Sequence, residues 1–196
     1  MSIRGTDLKR LFFLGLYYGI GYHLPSKTSK WGGVISRKFR YWCCKHLFKK
    51  IGKVANIERH AFFGSGSKIE MGEYSSLGLN CHIPYDTIVG DYVMMGPNCF
   101  IFAEQHNTSR TDIPMVRQGN TQPKQTVIGN DVWIGRDVMM SPGRHIADGS
   151  IIAMRCVLTK DFPPYSVVGG CPCRVLKNRK EQQTNENRNT NVAPRN

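Results

Sequence analysis

The sequence predicts an all-β fold of the solenoid type, and two regularities support this prediction. Aliphatic residues stand at every sixth position in two uninterrupted blocks, which comprise Met71, Leu77, Ile83, Val89, Met95 and Ile101, then Ile128, Ile134, Met140, Ile146, Ile152 and Leu158. Glycine directly follows six of these positions, at residues 72, 78, 90, 96, 129 and 135. A period of six fits neither an α-helix nor a simple alternating strand. It fits a triangular solenoid, in which three hexads make one coil of about 18 residues and glycine permits the turn.

The position four residues after an aliphatic residue points to a narrow interior. It is repeatedly occupied by small side chains, namely Cys81, Val93, Cys99, Val132, Val138 and Cys156. Cys81 and Cys99 are one coil apart, so we expect them to stack in the core rather than to form a disulfide or bind a metal. With an earlier, weaker set of hexads that slips by two residues before Met71, residues 51–177 are predicted to form about five to six coils.

The two ends of the chain differ from this body. Residues 1–50 are basic and rich in apolar side chains, and we expect a partly helical segment that caps the solenoid or lies at a membrane interface. Its apolar run, residues 11–24, is shorter than the roughly 20 residues of a spanning helix. Residues 178–196 have almost nothing to bury and are predicted to be a disordered tail.

Charge and cysteine content limit the partners and the compartment. Residues 1–56 hold twelve of the Lys and Arg residues and one acid, whereas the other 140 residues hold fifteen and thirteen. A basic arm suits an anionic lipid surface or nucleic acid, but the nearly neutral body shows no sign of a groove for phosphates, so no nucleic-acid partner is expected. The seven cysteines are an odd number and lack the paired C-x2-C spacing of zinc sites. Without a recognisable cleavage signal, these features predict a cytoplasmic protein whose arm can face the inner side of the membrane.

One histidine marks the place where the repeat is interrupted. The period fails between Ile101 and Ile128, where a polar segment that includes the loop 107–126 is inserted. Long loops on rigid scaffolds often carry function, and His106 alone among six histidines lies at the junction of coil and loop. Because imidazole changes charge near neutral pH, His106 is a candidate general base. Glu104 and a backbone carbonyl are alternative partners for its other ring nitrogen.

Three motifs make the sequence similar to a known family. They are I-G-N-D-V-W-I-G at 128–135, S-P-G at 141–143 and L-T-K-D-F-P-P-Y-S-V-V-G-G-C-P-C-R-V at 158–175. Together with the histidine-bearing loop before them, they resemble the hexapeptide-repeat acyltransferases, which fold as left-handed parallel β-helices. Within that family the sequence is most similar to galactoside and maltose O-acetyltransferases and to O-acetyltransferases of polysaccharide biosynthesis.

The resemblance implies an activity, a co-substrate and an assembly. The expected reaction moves an acetyl group from acetyl-CoA to a hydroxyl of a sugar or polysaccharide precursor, without a metal and without an acyl-enzyme. His106 matches the family's catalytic histidine, which would remove the acceptor proton while backbone N–H groups hold the oxyanion. The expected assembly is a homotrimer with each active site between neighbouring solenoids.

The same resemblance assigns expected roles to further residues. Residues expected to bind the co-substrate are Trp133 beside the thioester, Thr159 and Lys160 near pantetheine and phosphates, and Arg174 near the nucleotide. Two further co-substrate positions, Arg136 and Met154, depart from the small residues usual in the family. The residues expected at the acceptor are Asn80, Tyr85 and Asp86.

Two other functions, and two roles for the N-terminal arm, are alternatives. A trimeric carbonic anhydrase on the same scaffold would need three histidines on zinc, and only His82 and His106 are candidates to approach each other. A non-catalytic scaffold for glycan assembly would use the solenoid only as a docking platform. In the arm, the apolar residues expected either to lie in a membrane interface or to pack in the trimer are Leu11, Phe12, Phe13, Leu16, Tyr17 and Tyr18.

Overall fold

The computed structural model describes residues 5–181. Two helices come first: α1 (Gly5–Leu16), which continues into a π-helical turn at Tyr17–Gly21, and α2 (Gly33–Leu47). The strands that follow in the described chain are β1 (Lys50–Ile51), β2 (Asn56–Ile57), β3 (Glu70–Met71), β4 (Ser76–Leu77), β5 (Ile88–Val89), β6 (Met94–Met95), β7 (Phe100–Ile101), β8 (Val127–Ile128), β9 (Trp133–Ile134), β10 (Met139–Met140), β11 (His145–Ile146), β12 (Ile151–Ile152), β13 (Val157–Leu158), β14 (Ser166–Gly169) and β15 (Arg174–Asn178). Between residues 5 and 181, no helix is long and apolar enough to cross a bilayer.

The strands build three sheets, which are the walls of a triangular solenoid. Sheet A contains β1, β3, β5, β8 and β11, sheet B contains β2, β4, β6, β9, β12, β14 and β15, and sheet C contains β7, β10 and β13. Single bridges extend sheet C through Phe62 and His82 into the first two coils. Only β15 runs antiparallel to its neighbour, so the other six strands of sheet B mark six coils in the described chain. This agrees with the predicted five to six coils.

The core is the one that the period of six predicts. All twelve aliphatic residues of the repeat are buried, and none is more than 6% exposed. The six small residues four positions later are buried as well, which confirms that Cys81 and Cys99 fill the interior. The slip of two residues before Met71 lies where sheet C passes to sheet A in the first coil, at Gly64 and Gly66. These glycines have φ of 57° and 63°, a left-handed conformation that glycine adopts without steric cost.

Residues at the corners between the walls adopt left-handed backbone conformations. We call them the AB, BC and CA corners after the sheets that they join. Left-handed backbone at non-glycine residues occurs at Val54, Tyr74, Tyr92, Asp131 and Tyr165 in the AB corner and at His60, Asn80, Asn98, Asp137 and Arg155 in the BC corner. A left-handed conformation costs a residue with a Cβ atom about 1–2 kcal/mol, least for Asn and Asp, so the tyrosines are the unusual members of this set.

The helices cap the first coil. Their packing buries some apolar residues of the N-terminal arm and leaves others exposed. Tyr17 is fully buried and its hydroxyl donates to the carbonyl of Ala61 at 2.6 Å. Phe13 is buried against His46 of α2 with ring centroids 4.0 Å apart, whereas Leu11 and Phe12 stay exposed. The arm is therefore in part a cap on the protein's own core, and only its outer face remains for another surface.

At the C-terminal end, the described chain is ordered slightly beyond the predicted boundary of the solenoid. Asn178 is the last residue of β15, and residues 179–181 are helical. The rest of the predicted tail, residues 182–196, lies outside the described residues.

A buried arginine fastens the helical cap to the first coil. Arg40 of α2 is fully buried, and its guanidinium donates to the carbonyls of Gly21, Leu24, Pro25 and Ile57 at 2.7–3.3 Å. Removing the guanidinium would leave these carbonyls without a donor.

We predict that Arg40→Met lowers the free energy of unfolding by about 3 kcal/mol, because buried acceptors and a buried carboxylate, that of Glu58, lose their partner. Urea unfolding followed by circular dichroism measures this difference. Lys38→Met is the matched control, since Lys38 lies on the exposed side of the same helix. Equal stability of the two variants would contradict the role of Arg40.

Candidate functional site

The segment that interrupts the repeat is a hairpin. His106 pairs antiparallel with Asn120. Backbone hydrogen bonds join the two sides from Asn107 to Gly119, from Thr121 to Gln105 and from Lys124 to Ala103 at 2.7–2.9 Å. The loop predicted at 107–126 thus leaves the CA corner of the third coil as a two-stranded extension, and His106 sits on its outgoing strand.

The Gln118 side chain bonds across the tip of the hairpin. The Gln118 amide donates to the carbonyls of Arg110 and Ile113 at 2.8 and 3.1 Å, and its oxygen accepts from the Arg110 N–H at 3.2 Å. A short 3-10 turn at Met115–Arg117 precedes it. These bonds give the tip a defined shape before any ligand arrives.

His106 is exposed in a cleft of about 630 Å³ formed by one face of this hairpin. Its lining residues are Phe102, Glu104, Gln105, His106, Thr108, Met115 and Asn120. The even-numbered residues 102–108 share one face because side chains alternate along a strand. The Glu104 carboxylate accepts a hydrogen bond from the Asn120 side chain at 2.8 Å, so it braces the hairpin beside His106.

A second and larger cleft, of about 1090 Å³, lies on sheet B. Its lining residues are Gly96, Pro97, Trp133, Gly135, Arg136, Ile151, Ile152, Ala153, Met154, Tyr165, Val167, Lys177, Arg179 and Lys180. The structure therefore brings together three of the predicted co-substrate residues, Trp133, Arg136 and Met154. Trp133 stands half exposed on β9.

Three cations of this cleft were not predicted from the sequence: Lys177, Arg179 and Lys180. They belong to β15 and the turn after it, which the composition assigns to the end of the solenoid and the tail. The Arg179 guanidinium lies 2.9 Å from the Asp131 carboxylate, and the Lys180 ammonium lies 4.1 Å from the centre of the Tyr165 ring. The sequence feature that could have indicated these cations is the basic run K-N-R-K at 177–180, which follows the P-C-R motif closely.

The other predicted co-substrate residues lie outside this cleft. Thr159 and Lys160 are at the CA corner of the fifth coil, where the Arg144 guanidinium donates to the Thr159 carbonyl at 2.8 Å. Arg174 is the exposed first residue of β15, at the edge of sheet B. Thr159 and Lys160 therefore share the corner that carries the hairpin, and Arg174 shares the sheet that carries Trp133.

The predicted acceptor residues are also divided. Tyr85 and Asp86 lie at the CA corner of the second coil, directly below the hairpin, and the Gln125 side chain donates to the Asp86 carbonyl at 2.7 Å. Asn80 lies at the BC corner, where its side chain bonds to His60 at 3.1 Å and to Asn98 at 3.0 Å. The structure thus brings Tyr85 and Asp86 near the hairpin and places Asn80 in a ladder of corner side chains.

The topology separates the two clefts within one chain. His106 leaves the CA corner, and Trp133 stands on sheet B. In a triangular solenoid the CA corner is opposite sheet B, so the core of the chain lies between these residues. One chain therefore carries the two clefts on opposite sides of its solenoid.

Comparison with known proteins identifies the family. The profile described as bacterial transferase hexapeptide (six repeats) matches residues 125–160. The galactoside O-acetyltransferase of Escherichia coli (strain K12) is 31% identical over 175 residues, which cover 88% of this chain and 80% of the relative. This chain belongs to the hexapeptide-repeat acetyltransferases.

Solved structures of the family agree with the fold. A galactoside acetyltransferase in complex with coenzyme A superposes with a TM-score of 0.73 at 30% identity, covering 92% of this chain and 86% of that one. A maltose O-acetyltransferase from Clostridium difficile 630 gives a TM-score of 0.69 at 27% identity and covers 89% and 88% of the two chains. These matches confirm the parallel β-helix predicted from the repeat of six.

Proposed function

We propose that this hexapeptide-repeat acetyltransferase moves an acetyl group from acetyl-CoA to a hydroxyl of a sugar or polysaccharide precursor, with His106 as general base. The observation that carries the proposal is the sheet B cleft, where Trp133 stands among four cations in a chain of this family. A cleft of this size with a cationic rim suits the phosphates and the long pantetheine arm of CoA. Galactoside and maltose enzymes among the relatives support a sugar as the acceptor.

The proposed reaction needs one proton acceptor and no covalent intermediate on the protein. The His106 imidazole takes the proton of the acceptor hydroxyl while its oxygen attacks the thioester carbon. The tetrahedral oxyanion then collapses, the carbon–sulfur bond breaks, and the CoA thiolate takes the proton back from the imidazolium. Glu104 and Asn120 support this role, since their hydrogen bond braces the strand pair that presents His106.

Two buried cysteines of the core, Cys99 and Cys156, do not suit an acyl-cysteine intermediate, which supports direct transfer. Burial raises the pKa of Cys99 to about 11 and, together with the neighbouring Cys173, raises the pKa of Cys156 to about 12. A thiol must lose its proton to become a good nucleophile, and these thiols keep theirs at neutral pH. Between residues 5 and 181, no group of three or more His, Cys, Asp or Glu side chains is arranged to hold a metal.

We further propose that the active site forms between two copies of the chain in a homotrimer. The separation of His106 and Trp133 on opposite sides of the solenoid supports this, because a neighbour's hairpin can reach sheet B where its own cannot. Exposed apolar residues on sheets B and C support close contact between neighbouring chains. Met94 and Trp133 on sheet B and Met139 on sheet C are at least half exposed. A threefold ring of identical contacts closes on itself and leaves neither cleft unpaired.

His106→Asn should lower kcat about a thousandfold, because the hydroxyl loses its proton acceptor. Acetyl-CoA-dependent acetylation of a sugar panel measures the rate, and calorimetry should show an unchanged Kd for CoA. His145→Asn is the matched control, since His145 is exposed on sheet A, away from both clefts. Full activity of His106→Asn would contradict the assignment.

Mixing two inactive variants tests the shared site. His106→Asn chains and Trp133→Ala chains, unfolded and refolded together in equal amounts, should recover about one quarter of wild-type activity, because one neighbour pair in four joins an intact hairpin to an intact sheet B. Each variant refolded alone is the control. No recovery in mixed trimers would show that both residues act within one chain.

A separate proposal concerns the first fifty residues, which we place against an anionic membrane surface on the cytoplasmic side. The outer face of α1 supports it, since Leu8, Leu11 and Phe12 are 55–65% exposed beside the exposed cations Lys9 and Lys45. Apolar side chains flanked by cations are typical of helices that lie in a membrane interface. All seven cysteines are free thiols, which supports a reducing compartment.

Leu8→Gln/Phe12→Gln should reduce sedimentation with anionic phosphatidylglycerol vesicles several-fold, because the apolar anchor is lost while the charge is kept. The control, Leu176→Gln, changes a residue that is 60% exposed at the other end of the chain. Equal binding of the two variants, or no binding by the wild type, would contradict the membrane proposal.

A further inference from the structure

The AB corner carries a column of residues, and the fold does not explain two of its tyrosines. One residue from each coil stands in it, in the order Val54, Tyr74, Tyr92, Asp131, Gly149 and Tyr165. The rings of Tyr74 and Tyr92 are nearly parallel, with centroids 5.5 Å apart and 7° between their planes. We call these two side chains the tyrosine pair.

The backbone at the tyrosine pair is unfavourable for tyrosine. Tyr74 has φ of 54° and Tyr92 has φ of 59°, in the left-handed region that disfavours bulky side chains. The corresponding column at the BC corner holds Asn80, Asn98 and Asp137, which suit this conformation. Asn or Asp would fit this backbone at lower cost than Tyr, so the turn does not account for the two aromatic rings.

The rings do not serve the core. Tyr74 is 55% exposed and Tyr92 is 57% exposed. They contact each other, while their backbone N–H groups hold the turn through the carbonyls of Lys53 and Glu73 at 3.0 and 2.9 Å. What the pair offers to solvent is apolar ring surface ending in phenol hydroxyls, a combination that suits a ligand with both apolar and polar groups.

The tyrosine pair continues the sheet B cleft toward the first coils. Tyr92 is followed two residues later by Met94, which pairs with Trp133 of the cleft. The next residue of the column, Asp131, holds Arg179, which lines the same cleft. A ligand that leaves the cleft past Trp133 along the AB corner therefore meets Tyr92 first and Tyr74 one coil later.

We propose that the tyrosine pair is a saccharide subsite, which holds sugar units of an extended glycan next to the unit that is acetylated. A sugar ring presents a C–H face that packs on an aromatic ring and hydroxyls that bond to a phenol. This inference rests on the proposed acetyl transfer to a sugar, and it specifies the acceptor as an oligosaccharide or polysaccharide rather than a single sugar. The uncharged pair matches a neutral segment of such a chain.

The test compares Tyr74→Asn/Tyr92→Asn with the wild type and with the control Val54→Asn. Asn suits left-handed backbone, so both variants should keep or exceed the wild-type Tm, which separates loss of binding from loss of fold. The control changes the same column one coil earlier and removes no ring. The probes are maltohexaose, N-acetylchitohexaose and β-1,4-galactohexaose, each with its monosaccharide, titrated by calorimetry without acetyl-CoA.

The wild type and Val54→Asn should bind at least one hexasaccharide about tenfold more tightly than its monosaccharide, and the double variant should lose this preference. In the acetylation assay, the double variant should raise KM for the hexasaccharide and leave KM for the monosaccharide unchanged.

Three results would overturn the subsite: equal binding of hexasaccharides and monosaccharides by the wild type, unchanged preference in the double variant, or a change in its oligomeric state by light scattering. The last would show that a second copy of the chain covers the pair. Hexasaccharide binding that depends on the pair, in a protein that transfers no acetyl group to any glycan, would support the subsite and refute the acetyl transfer. The two proposals therefore fail separately.

Discussion

Each coil of the solenoid rests on the coil before it through an inward aliphatic side chain and a backbone hydrogen bond at every wall. On sheet A, Val89 lies in register between Met71 and Ile128, and the bonds from Gly72 to Val89 and from Gly90 to Ile128 are both 2.8 Å long. A residue that left this register would turn its side chain outward and break two ladders at once. The spacing of six thereby fixes which wall or corner each residue occupies.

This constraint determines what one chain can and cannot do. It holds Trp133 on sheet B and the base of the His106 hairpin at the CA corner, with the packed interior between them. The hairpin of a chain therefore cannot bring His106 to sheet B of the same chain, because the packed interior stays between them. Under the proposed chemistry, a second copy of the chain must therefore bring its hairpin to sheet B.

The sequence predicts the position of residues that follow the repeat of six. It does not predict the position of residues whose contacts come from outside the repeat. The twelve core positions follow from the period alone. The hairpin around His106 does not, because its pairing depends on backbone bonds and on the Gln118 side chain rather than on apolar spacing. The bonds of the Asn80 side chain to His60 and Asn98 could not be predicted either, because they depend on side chains from other coils.

Two features at the ends of the described chain could not be predicted from composition, for the same physical reason. Lys177, Arg179 and Lys180 have the composition of a solvated tail, but β15 folds back antiparallel on β14 and carries them to the cleft. By composition, the apolar residues of the N-terminal arm look equivalent. Helix packing separates them, because it buries Tyr17 and leaves Phe12 exposed. Composition averages over a segment, whereas a strand or helix separates its faces.

In the proposed trimer, two chains build one active site. A crystal structure of the full chain with bound CoA tests it most directly, through the distance from the CoA sulfur to the His106 ring. We expect the sulfur to lie beside Trp133 of one chain and within about 4 Å of the imidazole of a neighbouring chain, the approach of a reactive complex. A sulfur that contacts neither histidine, or a CoA held by a single chain away from the hairpin, would contradict it.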